Sequence, residues 1–302
     1  HCGPAMKPIP YALVDVFAPP PGAGNRVAVV LDARGMSPEE MQAVAQSLGA
    51  AEAAFLLERT GAALSVRFFA PGGEVEFSGH AAVAVGLTAA RTGLVPEGTT
   101  RLYLHTPTEV LPVELVLEAG EPRKAWVRGP APRFRDLPPY RALREVLEAL
   151  GSDERYLHRG LPYGVAFTGL WSLFVPLIAP GVVDALEPEM ERLKALCFRL
   201  DVATVHAYAP MGPRSFYARD FAPLLGIPED PVTGSANAAL GALLARAGVV
   251  PRREGKVLLT VYQGHHLGNP GVVEVQVEYS PTGEPYSVQI GGEAVIVQTG
   301  EV

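Results

Sequence analysis

The side chains best suited to moving a proton are a few ionisable residues in apolar or glycine-rich surroundings. Glu52 lies in Leu48-Gly49-Ala50-Ala51-Glu52-Ala53-Ala54-Phe55-Leu56-Leu57, where almost every neighbour is apolar. A carboxyl at the mouth of a buried strand is partly desolvated, which suits general acid–base work. The alternative is a solvated strand-edge charge. His80 opens an Ala-rich stretch after Ser78-Gly79, although a lone histidine is more often structural than catalytic. Asp230 sits in Pro228-Glu229-Asp230-Pro231-Val232-Thr233-Gly234-Ser235. It can exchange a proton there or close an Asx turn.

Two turns, Ser78-Gly79-His80 and Thr233-Gly234-Ser235, each precede a helical pattern. The N–H groups of a helix start have no intrahelical acceptor, and the helix dipole is positive there, so such ends bind carboxylates or phosphates. Ordinary capping by Ser78 and Thr233 is the competing explanation. Two such starts in one chain point to a small anionic substrate. Other chemistries lack their signatures. There is no Gly-x-Ser-x-Gly elbow, no P-loop and no Gly-x-Gly-x-x-Gly after a strand. His265-His266 has no nearby carboxylate or third ligand at metal spacing, so no metal site is expected.

The elements that carry these residues repeat. Gly79–Pro96 aligns without a gap on Gly234–Pro251, with nine of eighteen positions identical, and Phe69-Ala70-Pro71 and Phe221-Ala222-Pro223 precede the two copies. Each copy is Ala-rich, hence strongly helix-forming, and ends in Gly then Pro. Further helices are expected at Met41–Leu48 behind the Ser37-Pro38-Glu39-Glu40 capping box, at Tyr140–Leu150 and at Glu187–Leu200. Strands are expected at Ala12–Phe17, Val27–Leu31, Ala53–Leu57, Ser65–Phe69, Val113–Leu117, Val165–Thr168, Leu173–Leu177, Thr204–Tyr208, Val257–Tyr262, Val272–Val277 and Val288–Val297. The expected fold is therefore α+β: two similar halves, each a curved, mostly antiparallel sheet wrapped around a central helix, with a ligand cleft between them. The N-terminal half is placed at 7–127, completed by the C-terminal strand 286–302, and the C-terminal half at 128–285. A Pro- and Gly-rich linker is expected near Glu118–Pro132.

Composition narrows the setting. The 302 residues are 48% apolar and 19% charged, with net charge −7 and two cysteines. This supports a full core and argues against nucleic-acid or membrane-surface partners and against a disulfide framework. The apolar runs are broken by Gly, Ser and Pro, so no membrane span is expected. His1–Pro10 has no apolar signal region. The expected location is the cytoplasm, with Met6 the natural start and 1–5 an extension.

Asp15-Val16-Phe17, Gly24-Asn25, Glu52-Ala53-Ala54-Phe55, Arg67-Phe68-Phe69-Ala70-Pro71, Gly79-His80-Ala81, Phe167-Thr168-Gly169, Glu229–Ala236, Gln263-Gly264 and Gly291–Val295 together resemble the PhzF-like proteins of phenazine biosynthesis. The resemblance runs from about Tyr11 to the end. It implies the diaminopimelate-epimerase-like fold and a cofactor-independent isomerase like trans-2,3-dihydro-3-hydroxyanthranilate isomerase, commonly a homodimer. It also implies Glu52 as the acid/base, with His80, Asp230 and Ser235 lining the site and assisting. Asn25, Ser78, Gly79, Ala81, Thr233, Gly234 and Ala236 would hold the carboxylate. Racemases of this fold use two thiols at the helix starts. Here Ser78 and Thr233 occupy those places, and a hydroxyl is too weak an acid to replace a thiol. A non-catalytic anion binder, or another isomerase or lyase, are the alternatives on the same scaffold. Four positions flanking the expected site depart from the family pattern: Arg26 for Pro, Ala51 for Ser, Ser78 for Cys and Asn237 for His. They bear on substrate choice rather than on Glu52.

Overall fold

The computed structural model describes residues 8–17 and 23–302. Cys2 and the expected start at Met6 lie outside the described residues. The chain divides into two compact units, one running to Val127 and closing with Gly292–Val302, the other Arg128–Gly291.

The first unit contains β1 (Pro10–Val16), β2 (Asn25–Val30), β3 (Glu52–Thr60), β4 (Ala63–Ala70), β5 (Gly73–Val75), β6 (Arg101–His105), β7 (Val110–Glu118), β8 (Glu121–Arg128) and the last strand of the chain, β18 (Ala294–Glu301). They pair in the order β18-β1-β2-β3-β4-β6-β7-β8, with the short β5 also on β4. Only β2–β3 and β4–β6 are parallel. Helix α1 (Pro38–Leu48) links β2 to β3, and α2 (Gly79–Arg91) follows β5. Every residue from Ala81 to Ala89 is buried, as a helix apolar on all sides must be. Gly86 lets it lie close to the sheet: a Cβ there would stand 2.8 Å from Val113 Cγ1 of β7. By contrast α1 is amphipathic. It has the Ser37/Glu40 capping box and packs Met41 and Ala45 on Ala28, Val30, Phe55 and Phe69.

The second unit contains β9 (Arg133–Arg135), β10 (Gly164–Phe167), β11 (Trp171–Pro176), β12 (Thr204–Gly212), β13 (Ser215–Ala222), β14 (Ile227–Asp230), β15 (Lys256–Gln263), β16 (Gly271–Tyr279) and β17 (Pro285–Gly292). Its helices are α3 (Tyr140–Ala149), α4 (Pro180–Asp184), α5 (Met190–Leu200) and α6 (Gly234–Ala247). The strand order is β9-β10-β11-β12-β13-β15-β16-β17, with β14 on β13 and only β11–β12 and β13–β15 parallel. This repeats the first unit pair for pair. Helix α6 is buried from Ala236 to Ala245, and a Cβ on Gly241, the counterpart of Gly86, would meet Val275 Cγ1 at 2.5 Å. On the other sheet face, Leu143, Val146 and Leu147 of α3 and Leu193, Leu196 and Cys197 of α5 pack with Leu173, Val205 and Ala207.

Strand register extends the repeat beyond the residues that are identical. Ala53 pairs with Phe69 as Val205 pairs with Phe221, so the two Phe-Ala-Pro triplets coincide and Glu52 corresponds to Thr204. Arg67 and Arg219 also correspond, and each makes a forked ion pair with a glutamate four residues before a helix cap, Glu74 or Glu229.

Three expectations need correcting. The segment Glu118–Pro132 contains the division between the units, after Val127, but only its end is a connection: Glu121–Arg128 is a strand, because Ala125 and Val127 alternate inward while Gly120, at φ +83°, closes a hairpin with β7. Val288–Val297 is two strands rather than one. The break falls at Glu293, whose carbonyl accepts from Phe17 N–H and whose carboxylate accepts from Arg123. Strands β5, β6, β9, β13 and β14 are additional: β5, β6, β9 and β14 are short, and β13 is buried at seven consecutive positions, so alternation alone singles out none of them. Among the described residues, no helix is long and apolar enough to cross a membrane.

Candidate active site

Glu52 is the first residue of β3, beside Val27 of the parallel neighbour β2. Its side chain is 20% exposed, and its Oε2 lies 3.6 Å from His80 Nε2 in the first turn of α2. That separation is longer than a hydrogen bond. Both atoms are buried and neither has a hydrogen-bond partner among the described residues. A buried carboxylate oxygen and a buried imidazole nitrogen that make no hydrogen bond are costly to stability, and such groups concentrate at functional sites.

Ser78 caps α2, its Oγ accepting from Ala81 N–H at 3.3 Å, so the capping alternative is real for this residue. The amides of Gly79 and His80 remain without an acceptor in their own helix. Asn25 starts β2 and is buried, and strand alternation puts it on the same face as Val27. The first unit thus brings Glu52, Ser78, Gly79, His80 and Ala81 to one strand end and one helix start, with Asn25 on the adjoining strand. Arg26, expected to flank the site, alternates to the opposite face and forks onto Asp15 at 2.9 and 3.2 Å. Its pairing partner, not the site, fixes its direction.

In the second unit Asp230 ends β14, three residues before α6. Thr233 does not cap α6 with its side chain. Its hydroxyl instead donates to Asp230 Oδ2 at 2.7 Å, which sets the direction of that carboxylate. Arg219 fixes Glu229 next door, with Nε and Nη2 at 3.1 and 2.8 Å from its carboxylate. Thr168 Oγ1 donates to the Ser235 carbonyl at 2.7 Å, and a Cβ on Gly169 would approach Ser235 Cβ to 3.6 Å. The Phe167-Thr168-Gly169 turn therefore lies against the start of α6. Asp230, Thr233, Gly234, Ser235 and Ala236 form one cluster within this unit. Among the described residues, no three His, Cys, Asp or Glu side chains are grouped to hold a metal ion.

The repeat allows the two clusters to be compared residue for residue. Thr204 stands where the first unit has Glu52, and its hydroxyl is tied to Ser172 at 2.7 Å in a fully buried contact. Ser235 stands where the first unit has His80. The carboxyl at the strand mouth thus occurs once, and the carboxyl of the second cluster is instead Asp230, held by Thr233.

Residues 14–300 match the model of the phenazine biosynthesis-like protein family, PhzC-PhzF. The chain belongs to that family. It is 46% identical over 292 residues to an uncharacterized isomerase of Deinococcus radiodurans, covering 96% of this chain and 93% of the relative. It is 31% identical over 294 residues to the trans-2,3-dihydro-3-hydroxyanthranilate isomerase of Pseudomonas fluorescens, covering 97% and 98%. The crystal structure of a PhzF-family protein from Bacillus anthracis superposes with a TM-score of 0.87 at 30% identity, over 98% of this chain and 99% of the other. The fold is thus that of the PhzF family, and the chain is an isomerase of that family.

Four residues near α6 went unrecognised as structural partners in the sequence: His206, Asp220, Asn237 and Gln263. Their signal was a polar residue at the inward position of an apolar strand or helix. His206 interrupts Thr204–Tyr208, and Asp220 precedes Phe221-Ala222-Pro223.

Proposed function

We propose that this isomerase shifts a proton within a small, carboxylate-bearing molecule without a cofactor. The substrate class is that of the Pseudomonas fluorescens relative, a cyclic amino acid or similar compound with an acidic C–H bond. The observation that carries this is the buried, unpartnered Glu52 Oε2 facing His80 Nε2 at the start of α2. Glu52, as the carboxylate, takes a proton from one carbon. The electron pair of that C–H bond moves into the conjugated system, and the carboxyl, whose proton exchanges with solvent before delivery, returns a proton at another carbon. No atom or electron is gained or lost. His80 hydrogen-bonds Glu52 or the substrate as charge develops. The first-turn amides of Gly79 and His80, at the positive end of the helix dipole, hold the substrate carboxylate. The family resemblance assigns substrate handling to Asp230 and Ser235. The absence of a second carboxyl at Thr204 supports a single shuttling group rather than two opposed bases.

The test is solvent-deuterium incorporation at carbon. trans-2,3-Dihydro-3-hydroxyanthranilate and a panel of cyclic and amino-acid-like carboxylic acids are incubated with the native enzyme and with Glu52→Gln. A positioned acid/base contributes about 10²–10⁴-fold, so exchange should fall by that factor in the variant. Folding should be little changed, because Glu52 Oε2 has no hydrogen bond to lose. A folded Glu52→Gln protein that exchanges at the native rate rules Glu52 out as the shuttle.

A further inference from the structure

The second unit buries a chain of polar side chains for which the first unit has no counterpart. His206, Asp220, Asn237 and Gln263 are all 0% exposed. By strand register and helix alignment, the positions of His206, Asp220 and Asn237 are held in the first unit by Ala54, Phe68 and Ala82. One copy of the repeat fills this space with apolar groups. The other takes on the desolvation of four polar ones, which is unfavourable unless their hydrogen bonds offset it and the order they impose is used.

The direction of each bond follows from backbone groups at one end. Gln263 Oε1 accepts from Thr233 N–H at 3.1 Å, and Gln263 Nε2 donates to the Asp230 carbonyl at 2.9 Å and to Thr233 Oγ1 at 3.0 Å. A backbone N–H only donates and a carbonyl only accepts, so the amide orientation of Gln263 is fixed. Asn237 Nδ2 must then donate to Gln263 Oε1, at 2.8 Å, which turns Asn237 Oδ1 toward His206 Nε2 at 2.7 Å. An amide oxygen only accepts, so His206 carries its proton on Nε2. The 2.8 Å contact between His206 Nδ1 and Asp220 Oδ1 also needs a proton, on either the ring or the carboxyl. The other Asp220 oxygen is buried without a hydrogen bond among the described residues. The Phe174 ring edge and the Cys197 thiol complete the surroundings. Burial and the Asp220 charge push that thiol up to about 11, so it remains a neutral neighbour.

Gly264 protects the geometry at the Gln263 end. At φ +93° a Cβ there would strike the Asn269 carbonyl and come within 2.7 Å of the Pro231 oxygen, so only glycine lets Gln263 sit under the Asp230–Thr233 turn.

We infer that Gln263, braced through Asn237 by the His206–Asp220 pair, is the positioning residue that holds Asp230 and the first turn of α6 in their working arrangement. Gln263 bonds to both ends of the Asp230–Thr233 turn, and the Thr233 hydroxyl it holds is the one that orients Asp230 Oδ2. None of the four touches a reacting atom. Their role in turnover rests on the isomerase mechanism proposed above, but the positioning itself can be read without turnover.

The test uses the full chain, ¹⁵N-labelled. In the native protein, two-bond ¹H–¹⁵N spectra of His206 should show a protonated Nε2. A ring protonated only on Nδ1 reverses the whole chain and overturns the inference. Hydrogen exchange of the Thr233 amide should quicken about tenfold or more in Gln263→Leu, while amides in the middle of α6 keep native protection. Gln263→Glu, which keeps the acceptor but loses both donors, guards against misfolding of the leucine variant and should show a smaller change. Asp220→Asn can donate its amide to Nδ1 and keep the chain intact, so it should retain native Thr233 exchange where Asp220→Leu does not. Unchanged Thr233 exchange in both Gln263 variants overturns the inference. If Glu52→Gln abolishes deuterium incorporation but Gln263→Leu, with a loosened Thr233, turns over with native kcat and KM, the positioning role fails while the acid/base assignment stands.

Discussion

The repeated Arg–Glu pair permits a controlled comparison of one interaction at two depths. Arg219 and Glu229 have side-chain exposures of 3% and 9%, whereas Arg67 and Glu74 have 28% and 31%. Arg219 also donates from Nη1 to the carbonyls of Val183, Asp184 and Leu186 at 3.0, 3.2 and 3.0 Å, around the end of α4. Arg219→Met keeps the apolar stem but leaves the Glu229 carboxylate and three carbonyls without this partner. Removing one partner of a buried pair costs about 3–5 kcal/mol. Arg67→Met takes a partner from a carboxylate that water can still reach, which costs about 0–1 kcal/mol. At roughly 2–4 °C per kcal/mol for a unit of this size, the midpoint should fall by about 6–20 °C for Arg219→Met and by about 0–4 °C for Arg67→Met. Thermal unfolding followed by circular dichroism, at equal protein concentration and pH, measures both. Glu229 precedes Asp230 directly, so loosening it should also impair turnover. Equal midpoints for the two variants, or a larger drop for Arg67→Met, would refute the argument that burial sets the worth of this pair.

Two further outcomes follow from the packing. Gly241→Ala should destabilise the protein by about 1–2 kcal/mol despite the gain in helix propensity, because the new Cβ meets a stiff β-branched side chain at 2.5 Å. Adding Val275→Ala should recover part of that loss, and denaturant unfolding of the two single variants and the double variant reads the coupling. Cys197 is fully buried and its thiol is pushed up to about 11, so at pH 8 it is a buried thiol rather than a thiolate. Peptide mass analysis after a short iodoacetamide pulse should find Cys197 unmodified in native protein and alkylated in denaturant. Alkylation in native buffer at the denatured rate would contradict its burial.

Much of the site could be read from the chain because its signals are local. The Gly-opened, Ala-rich segments at Gly79 and Gly234 declare two buried helices through propensity and small side chains, and their identity exposes the repeat. Glu52 stands out because a carboxyl among alanines and a phenylalanine has no local reason to be there. Ser78 behaves as the cap its type suggests. The substitution of Ser78 and Thr233 at the helix starts removes two-thiol chemistry on composition alone.

The partners of these groups depend on contacts between residues far apart in the chain. Thr233 looks like a second Ser78, yet Gln263, thirty residues on, takes its backbone N–H, and its hydroxyl turns to Asp230. Arg26 looks like a residue beside Glu52, yet strand alternation and Asp15 turn it to the other face. His206, Asp220 and Asn237 belong to a strand, its neighbour and a helix, and no spacing in the sequence shows that they meet. The sequence determines which segments become strands and helices and which groups can carry a proton, because propensity and titration are properties of residue types. Only the tertiary structure decides which of those groups are left without a hydrogen bond, as Glu52 Oε2 and His80 Nε2 are, and which are tied down, as Thr204 and Thr233 are. That distinction rests on hydrogen bonds and burial, which exist only once the strands are in register.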